Sequence, residues 1–328
     1  MKLGRIAVHS PDGTDARLVA VQPDAERVVD LAQAERLRLE GRGASLEAAR
    51  RLALALFPSS AAQAIALGDA FTEAARQTIA TASAESHISF DEITWLPPLD
   101  PPVMRDAMVF EQHIRNAYAG LDRPVPEAVY QLPVYYKGNQ TSLIGHEATV
   151  RWPGYTHYMD YELELGFVIG RSGSNLTPEE AERCLWGVTI YNDFSARDIQ
   201  GLEMGGGLGP AKGKDFATAL GPWITTVDEL DPHNLQMAAR INGEEWSRGS
   251  SATMLWSIGE LIAEVARGET LNPGDLIGSG TVGRGCGLEM GKRLQPGDTV
   301  ELEVSGIGIL RNRLGQPEPE PWTPTPKI

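Results

Sequence analysis

The sequence predicts a β-rich α+β chain, with a smaller N-terminal α/β domain over residues 1–97 and a larger β-dominated domain over residues 98–328. Three observations carry this expectation. Four prolines fall within Leu96-Pro97-Pro98-Leu99-Asp100-Pro101-Pro102, a stiff extended link suited to a boundary. Before it, short alternating segments lead into Ala-, Leu-, Arg- and Glu-rich stretches with helical spacing. After it, short apolar runs separated by Gly and Pro outnumber helical stretches, without regular βαβ alternation.

Taken in order, residues 1 to about 30 read as short strands (Ile6 and Val8, Leu18 to Val21, Val28 and Val29), with Pro11-Asp12-Gly13 and Pro23-Asp24 as turns. Residues 31–56 and 60–82 read as two helices separated by Pro58-Ser59-Ser60, which supplies an N-cap for the second. Beyond the link, strands are expected at 148–152, 161–170, 185–191, 222–227, 236–242, 276–280 and 299–304. Helices are expected at about 103–119, 178–184, 193–202 and 254–266. The Pro-rich tail 317–326 reads as extended, and no internal repeat is present.

A chain of 328 residues, 42% hydrophobic and 22% charged, can bury a sizeable core. A net charge of −15 and no basic stripe exclude a nucleic-acid partner. No run approaches a membrane span, and the N-terminus lacks the apolar core of a signal peptide. Cys184 and Cys286 are too few for a disulfide framework and lack metal spacing, so a reduced cytoplasmic setting is expected.

Chemistry concentrates in two segments. In Asp160-Tyr161-Glu162-Leu163-Glu164-Leu165-Gly166-Phe167, strand alternation sends Tyr161, Leu163, Leu165 and Phe167 one way and the three acids the other. A solvated acidic face would explain this. So would a divalent cation, which turns repulsion between like charges into binding. In Asn192-Asp193-Phe194-Ser195-Ala196-Arg197-Asp198-Ile199-Gln200, Asp193, Arg197 and Gln200 share one face if the segment is helical. That is either an N-terminal acid with an ion pair, or a metal ligand beside two donors for a substrate oxygen.

These two segments, followed by Gly209-Pro210-Ala211-Lys212-Gly213-Lys214 and Gly278-Ser279-Gly280-Thr281, resemble the fumarylacetoacetate hydrolase family over about residues 100–312. The resemblance implies a mixed β-sandwich roll, a divalent metal (Mg²⁺ first, Ca²⁺ or Mn²⁺ as alternatives) and a homodimer. It implies Glu162, Glu164 and Asp193 as core ligands. It adds Asp106, seven residues before His113, as the further aspartate of the fumarylacetoacetase-like branch. His113 resembles the family's catalytic base and Glu289 the carboxylate that orients it. Acylpyruvate hydrolases of the family instead carry a glutamate three residues after the histidine, where this chain has Asn116. Lys214 resembles a catalytic lysine, and Tyr136, Arg197, Gln200 and Thr281 resemble substrate contacts. A further substrate-binding arginine of the family falls on Asp122, next to Arg123.

The implied reaction is hydrolysis of a carbon–carbon bond in a small anionic 1,3-dicarbonyl compound by histidine-activated water. Two alternatives stay open: a 2-oxo acid decarboxylase, hydratase or isomerase on the same scaffold, and a non-catalytic ligand-binding protein. His146, His157 and His233 receive no role, and His9 and His87 read as ordinary surface or packing residues.

Overall fold

The protein is described here by a computed structural model covering residues 1–10, 13–120, 122–320 and 322–327, without the side chains of residues 9 and 10. The turn at Pro11-Asp12 and the environment of His9 therefore lie outside the described residues.

Alternation along Glu164–Ile169 organises the molecule. Leu165, Phe167 and Ile169 join one apolar cluster, and Val168 joins another on the opposite face. The first cluster gathers those residues with Val188 and Ile190, and with Met237, Val300, Leu302, Val304 and Leu310 of a second sheet. This is the filling of a β-sandwich. The second cluster packs Val168, Tyr191, Leu220, Ile224 and Leu276 against Leu3, Val29, Leu31, Phe57 and Phe71.

Among the described residues, twelve strands make the large sheet. Its main path runs His87–Ser89, Arg27–Asp30, Gly13–Gln22, Lys2–Ser10, Thr218–Thr226, Leu185–Asp193, Glu164–Ile169, Leu276–Gly278, Met104–Ala107 and Tyr135–Lys137. The second sheet orders Glu244–Ser250, Gln236–Ile241, Thr299–Val304, Gly308–Pro317 and Thr149–Trp152. Antiparallel pairs predominate, but Leu276–Gly278 runs parallel to Met104–Ala107, and Gly308–Pro317 to Thr149–Trp152. The fold is the expected β-rich α+β mixed sandwich. Lys2–Ser10 pairs with Thr218–Thr226 (Leu3 opposite Ile224), so one sheet and one core run across the proline link.

Several elements differ from the sequence expectation, each for a local reason. The stretch 31–56 breaks at Gly41-Arg42-Gly43 into Leu31–Glu40 and Leu46–Leu56, the second capped by Ser45. The stretch 60–82 breaks at Gly68, with φ +62°, into Ala61–Ile65 and Asp69–Ala80. Ser60 caps the first of these through the Gln63 N–H, as its position suggested.

Residues 103–119 are not one helix. Met104–Ala107 is a fully buried strand beside Leu276–Gly278, and the helix is Glu111–Gly120. Asp106 is therefore strand-borne. Likewise the strand Leu185–Asp193 continues through Asp193, which pairs opposite Thr218, and the helix begins only at Arg197. Asp193, Arg197 and Gln200 do not share a helix face. The last expected helix starts at Ile258, where Ser257 and Glu260 form a capping box.

Candidate active site

The acids meet where strands of the large sheet end beside one another. Glu162 and Glu164 project from one side of the chain because Tyr161, Leu163 and Leu165 occupy the sandwich core on the other. Asp106 reaches them from Met104–Ala107, one strand beyond Leu276–Gly278, with which it pairs in parallel and where it lies opposite Gly278. A Cβ at position 278 would collide with Asp106 Oδ1, so glycine is what lets that carboxylate approach. Oxygens of Asp106, Glu162 and Glu164 lie within 4.8 Å of one another, and all three residues are buried. Asp193 ends the adjacent strand with no solvent exposure, accepting from Tyr136 Oη at 2.5 Å and Thr218 Oγ1 at 3.2 Å.

Two cations share this ground. Lys214 Nζ lies 2.5 Å from Glu162 Oε2 and 2.7 Å from Asp193 Oδ2. Arg197 is 2.9 Å from both Asp160 and Glu162, and its Nη1 also donates to Gln200 Oε1 at 3.0 Å. Asp160 thus belongs to Arg197 and to the backbone N–H groups of Gly287 and Leu288, not to the acid cluster beside it.

The electrostatics follow from burial. Desolvation, then neighbouring carboxylates, pushes Asp106 and Glu164 well above the usual carboxylate range. Burial also raises Asp193. Burial penalises the Glu162 carboxylate too, but Lys214 and Arg197 outweigh it and hold the group low. Glu164 accepts from Thr281 Oγ1 at 3.0 Å, while its Oε2 is buried with no hydrogen-bond partner among the described residues. Five acids (Asp106, Asp160, Glu162, Glu164, Asp193) against Lys214 and Arg197 leave three uncompensated negative charges when all are ionised. An all-oxygen set with that surplus and an orphaned buried oxygen fits a hard divalent cation.

The second feature is an imidazole–carboxylate pair. His113, on the buried side of Glu111–Gly120, has its Nδ1 2.7 Å from Glu289 Oε1. Glu289 also accepts from Asn116 Nδ2 at 2.6 Å, from the Arg284 N–H at 2.8 Å and from Cys286 Sγ at 3.4 Å. Burial disfavours the Glu289 carboxylate, but His113 and Asn116 outweigh it and hold it below the ordinary glutamate range. A carboxylate on Nδ1 fixes the tautomer that leaves Nε2 as the acceptor.

The structure brings together most residues singled out in the sequence. Tyr136 contacts Asp193 and Thr281 contacts Glu164, so both hydroxyls sit against carboxylates. Asp122, with φ +52°, and Arg123 are exposed beyond the end of the His113 helix. His157 and His233 pair with Asp198 and Glu182 on exposed ground, and His146 Nδ1 accepts from the Arg311 N–H. Sequence reasoning names Asn116 and Cys286 without a role in the site, and misses Thr218 and Asn192, whose Oδ1 accepts from the Glu162 N–H. For Asn116 the signal was its place three residues after His113 on one helix face.

A model of the fumarylacetoacetate (FAA) hydrolase C-terminal domain matches residues 103–315, which include every residue of this constellation. The chain belongs to the fumarylacetoacetate hydrolase family. An uncharacterized protein of Staphylococcus aureus (strain USA300) is 35% identical over 254 residues, 75% of this chain and 82% of its own length. The fumarylacetoacetate hydrolase of psychrophilic Exiguobacterium antarcticum is 26% identical, with a TM-score of 0.70 over 96% of this chain and 99% of that one. The 5-carboxymethyl-2-hydroxymuconate delta-isomerase of Mycobacterium smegmatis is also 26% identical, with a TM-score of 0.67 over 98% and 100%. The fumarylacetoacetate hydrolase scaffold thus carries both hydrolytic and isomerising relatives. No helix among the described residues is long and apolar enough to cross a membrane.

Proposed function

We propose that this protein is a metal-dependent hydrolase that cleaves a carbon–carbon bond in a small anionic 1,3-dicarbonyl compound of the acylpyruvate or fumarylacetoacetate type. The observation that carries the reading is the 2.7 Å contact of His113 with Glu289 next to a buried, oxygen-only acid cluster. Asp106, Glu162, Glu164 and Asp193 would hold one hard divalent cation, Mg²⁺ before Mn²⁺ or Ca²⁺. When bound, that cation supplies Lewis-acid polarisation of the substrate's oxygens.

The chain's own residues supply the remainder. Glu289 fixes His113 with Nδ1–H toward its carboxylate, and Nε2 takes a proton from water. The resulting hydroxide attacks one carbonyl, and the bond to the central carbon breaks with its electron pair leaving on carbon. One water is consumed, and a carboxylic acid and a ketone or 2-oxo acid are released. Lys214 places positive charge where the enolate charge develops. Gln200 turns its carbonyl oxygen to Arg197, which leaves its amide N–H groups as the donors it can offer a substrate oxygen. Tyr136, Arg197 and Thr281 complete the substrate contacts, and a homodimer in the cytoplasm is part of the same proposal.

Isomerisation or decarboxylation on this scaffold is the second reading, favoured by the isomerase relative. Neither needs water attack on a carbonyl. The test is a panel of fumarylacetoacetate, acylpyruvates, oxaloacetate and cyclic 1,3-diketones with each metal, products identified by mass, repeated with His113→Ala. Hydrolysis products and a kcat loss of about 10²–10⁴-fold, with metal affinity retained, support the proposal. Near-normal turnover in His113→Ala shifts the assignment to the second reading, and a bound but unchanged substrate shifts it to a ligand-binding protein.

A further inference from the structure

We propose that His113, Cys286 and Glu289 form a second cation site, selective for a soft divalent ion of the Zn²⁺ type, whose occupation switches the enzyme off. Its inhibitory consequence rests on His113 serving as the base in the function proposed above.

The three side chains present one nitrogen, one sulfur and one oxygen within 4.8 Å of one another. Both the imidazole Nδ1 and the Cys286 Sγ converge on the same atom, Glu289 Oε1, at 2.7 and 3.4 Å. The other oxygen, Oε2, is already occupied by Asn116 and by the Arg284 N–H, so Oε1 is the one left to ligate. Nitrogen, sulfur and oxygen donors in threes are what Zn²⁺ takes while keeping a fourth position open. The acid cluster, by contrast, offers oxygen alone, which suits Mg²⁺, Mn²⁺ or Ca²⁺. The chain therefore carries a hard donor set and a soft one side by side, and donor type separates their ions.

The fit requires little movement. An ion at ordinary Zn–N, Zn–S and Zn–O lengths needs the present contacts to open by about half an ångström. The donors come from two separate pieces of chain, the helix Glu111–Gly120 and the loop following Thr281, so small shifts of either can supply that. Cys286 is fully buried and the His113 side chain is 11% exposed, so the ion enters from the histidine side. Cys184 lies elsewhere, against the carbonyl of Glu180, and cannot substitute.

Protons balance without redox change. Coordination releases the Cys286 thiol proton to solvent, since a metal-bound thiol is deprotonated. The Nδ1 proton of His113 is replaced by the ion, and the neutral ring carries its proton on Nε2 instead. That is the nitrogen needed to accept a proton from water. Occupation thus removes the base with no more than that small shift.

The first probe is Co²⁺ added to the Mg²⁺-loaded protein. A thiolate-to-cobalt charge-transfer absorption is expected in the wild type and is lost in both Cys286→Ser and Cys286→Ala. No such band in the wild type, or an unchanged band in both variants, overturns the site. The second probe is Zn²⁺ in the turnover assay with Mg²⁺ in excess. Turnover should fall by about 10²-fold or more, the share a general base supplies. The inhibition curve should move at least about tenfold toward higher Zn²⁺ in Cys286→Ser, since even an outer partner of a metal site is worth that much. Equal inhibition of both proteins overturns the switch. A cobalt–thiolate band with no hydrolysis of any panel substrate leaves the soft site standing and sinks the hydrolase reading. Turnover that depends on His113, with no band, does the reverse.

Discussion

Asn116 donates to Glu289 Oε2 at 2.6 Å, one helical turn along from the His113 contact with Oε1 of the same carboxylate. Gln112 Nε2 donates to the Asn116 Oδ1 at 2.7 Å, which favours the same orientation of the amide. Glu289 is therefore gripped at both oxygens by one face of one helix. Replacing Asn116 by Leu should leave the carboxylate free to rotate and lower kcat by about 10–100-fold, the range seen when an outer partner is removed. Metal affinity, measured by calorimetry, should stay within a few-fold of the wild type. Unchanged kcat would mean that Asn116 does not orient Glu289.

Gly278 makes room for Asp106. In Gly278→Ala the new methyl overlaps Asp106 Oδ1, so either the strand pair or the carboxylate must shift. We expect a stability loss of about 1–3 kcal/mol, the usual cost of overpacking, together with weaker binding of the divalent cation. Denaturant titration and calorimetry on the same variant check both halves. Wild-type values in both would show that Asp106 is not confined by this contact.

The raised carboxyls of Asp106 and Glu164 give the metal-free protein a distinctive response to pH. A group whose folded pKa exceeds its unfolded value contributes full stability below the unfolded value, and that contribution fades as pH climbs through the folded one. Metal-free protein should therefore lose stability as pH rises from about 4 toward neutrality, by more than Asp106→Asn does over the same window. Excess Mg²⁺ should flatten the wild-type curve by favouring the ionised acids. Thermal midpoints in chelator and in Mg²⁺ across that range decide it. Parallel curves for the two proteins would remove Asp106 from the repelling cluster.

The core shared across the proline link predicts that residues 98–328 alone will not fold cooperatively. Without the N-terminal strands and helices, the faces of Val168, Leu220, Ile224 and Leu276 lose their cover. At about 1.5–3 kcal/mol for each fully buried aliphatic side chain, that is of the same order as a whole domain's stability. Circular dichroism and thermal melts of the truncated chain are the measurement. A sharp transition near that of the intact protein would show that the link joins two self-sufficient units.

Much of this was legible in the residues, for identifiable reasons. Strand alternation put Tyr161, Leu163 and Leu165 inside and Glu162 and Glu164 opposite, because a period of two survives even where the regular ladder begins only at Glu164. The helix expected around Asp106 failed because a buried four-residue strand leaves too short a pattern to read. Asp193 was misassigned to a helix because its strand is held by pairing to Thr218, a residue 25 positions away that no local window contains. The sequence places Asp160 on the same strand face as Glu162 and Glu164 without giving it a role, since Arg197 and the Gly287 and Leu288 N–H groups claim it only in three dimensions. Tyr135–Lys137 was missed as a three-residue strand at the end of the large sheet's path, and Gly308–Pro317 was missed although it pairs with the neighbouring Thr299–Val304 in a hairpin.

Arg197 bridges Glu162 to Asp160, and Asp160 in turn holds the backbone just ahead of Glu289. The acid that would bind metal and the loop that would steer the histidine are thus mechanically geared to one another. Neither can be repositioned to suit a differently shaped substrate without dragging its counterpart. Diversification on such a frame has to come from parts outside the gearing, and the exposed stretch after the His113 helix, around Asp122 and Arg123, is free of it. That stretch is where an engineer seeking a new acyl group should begin.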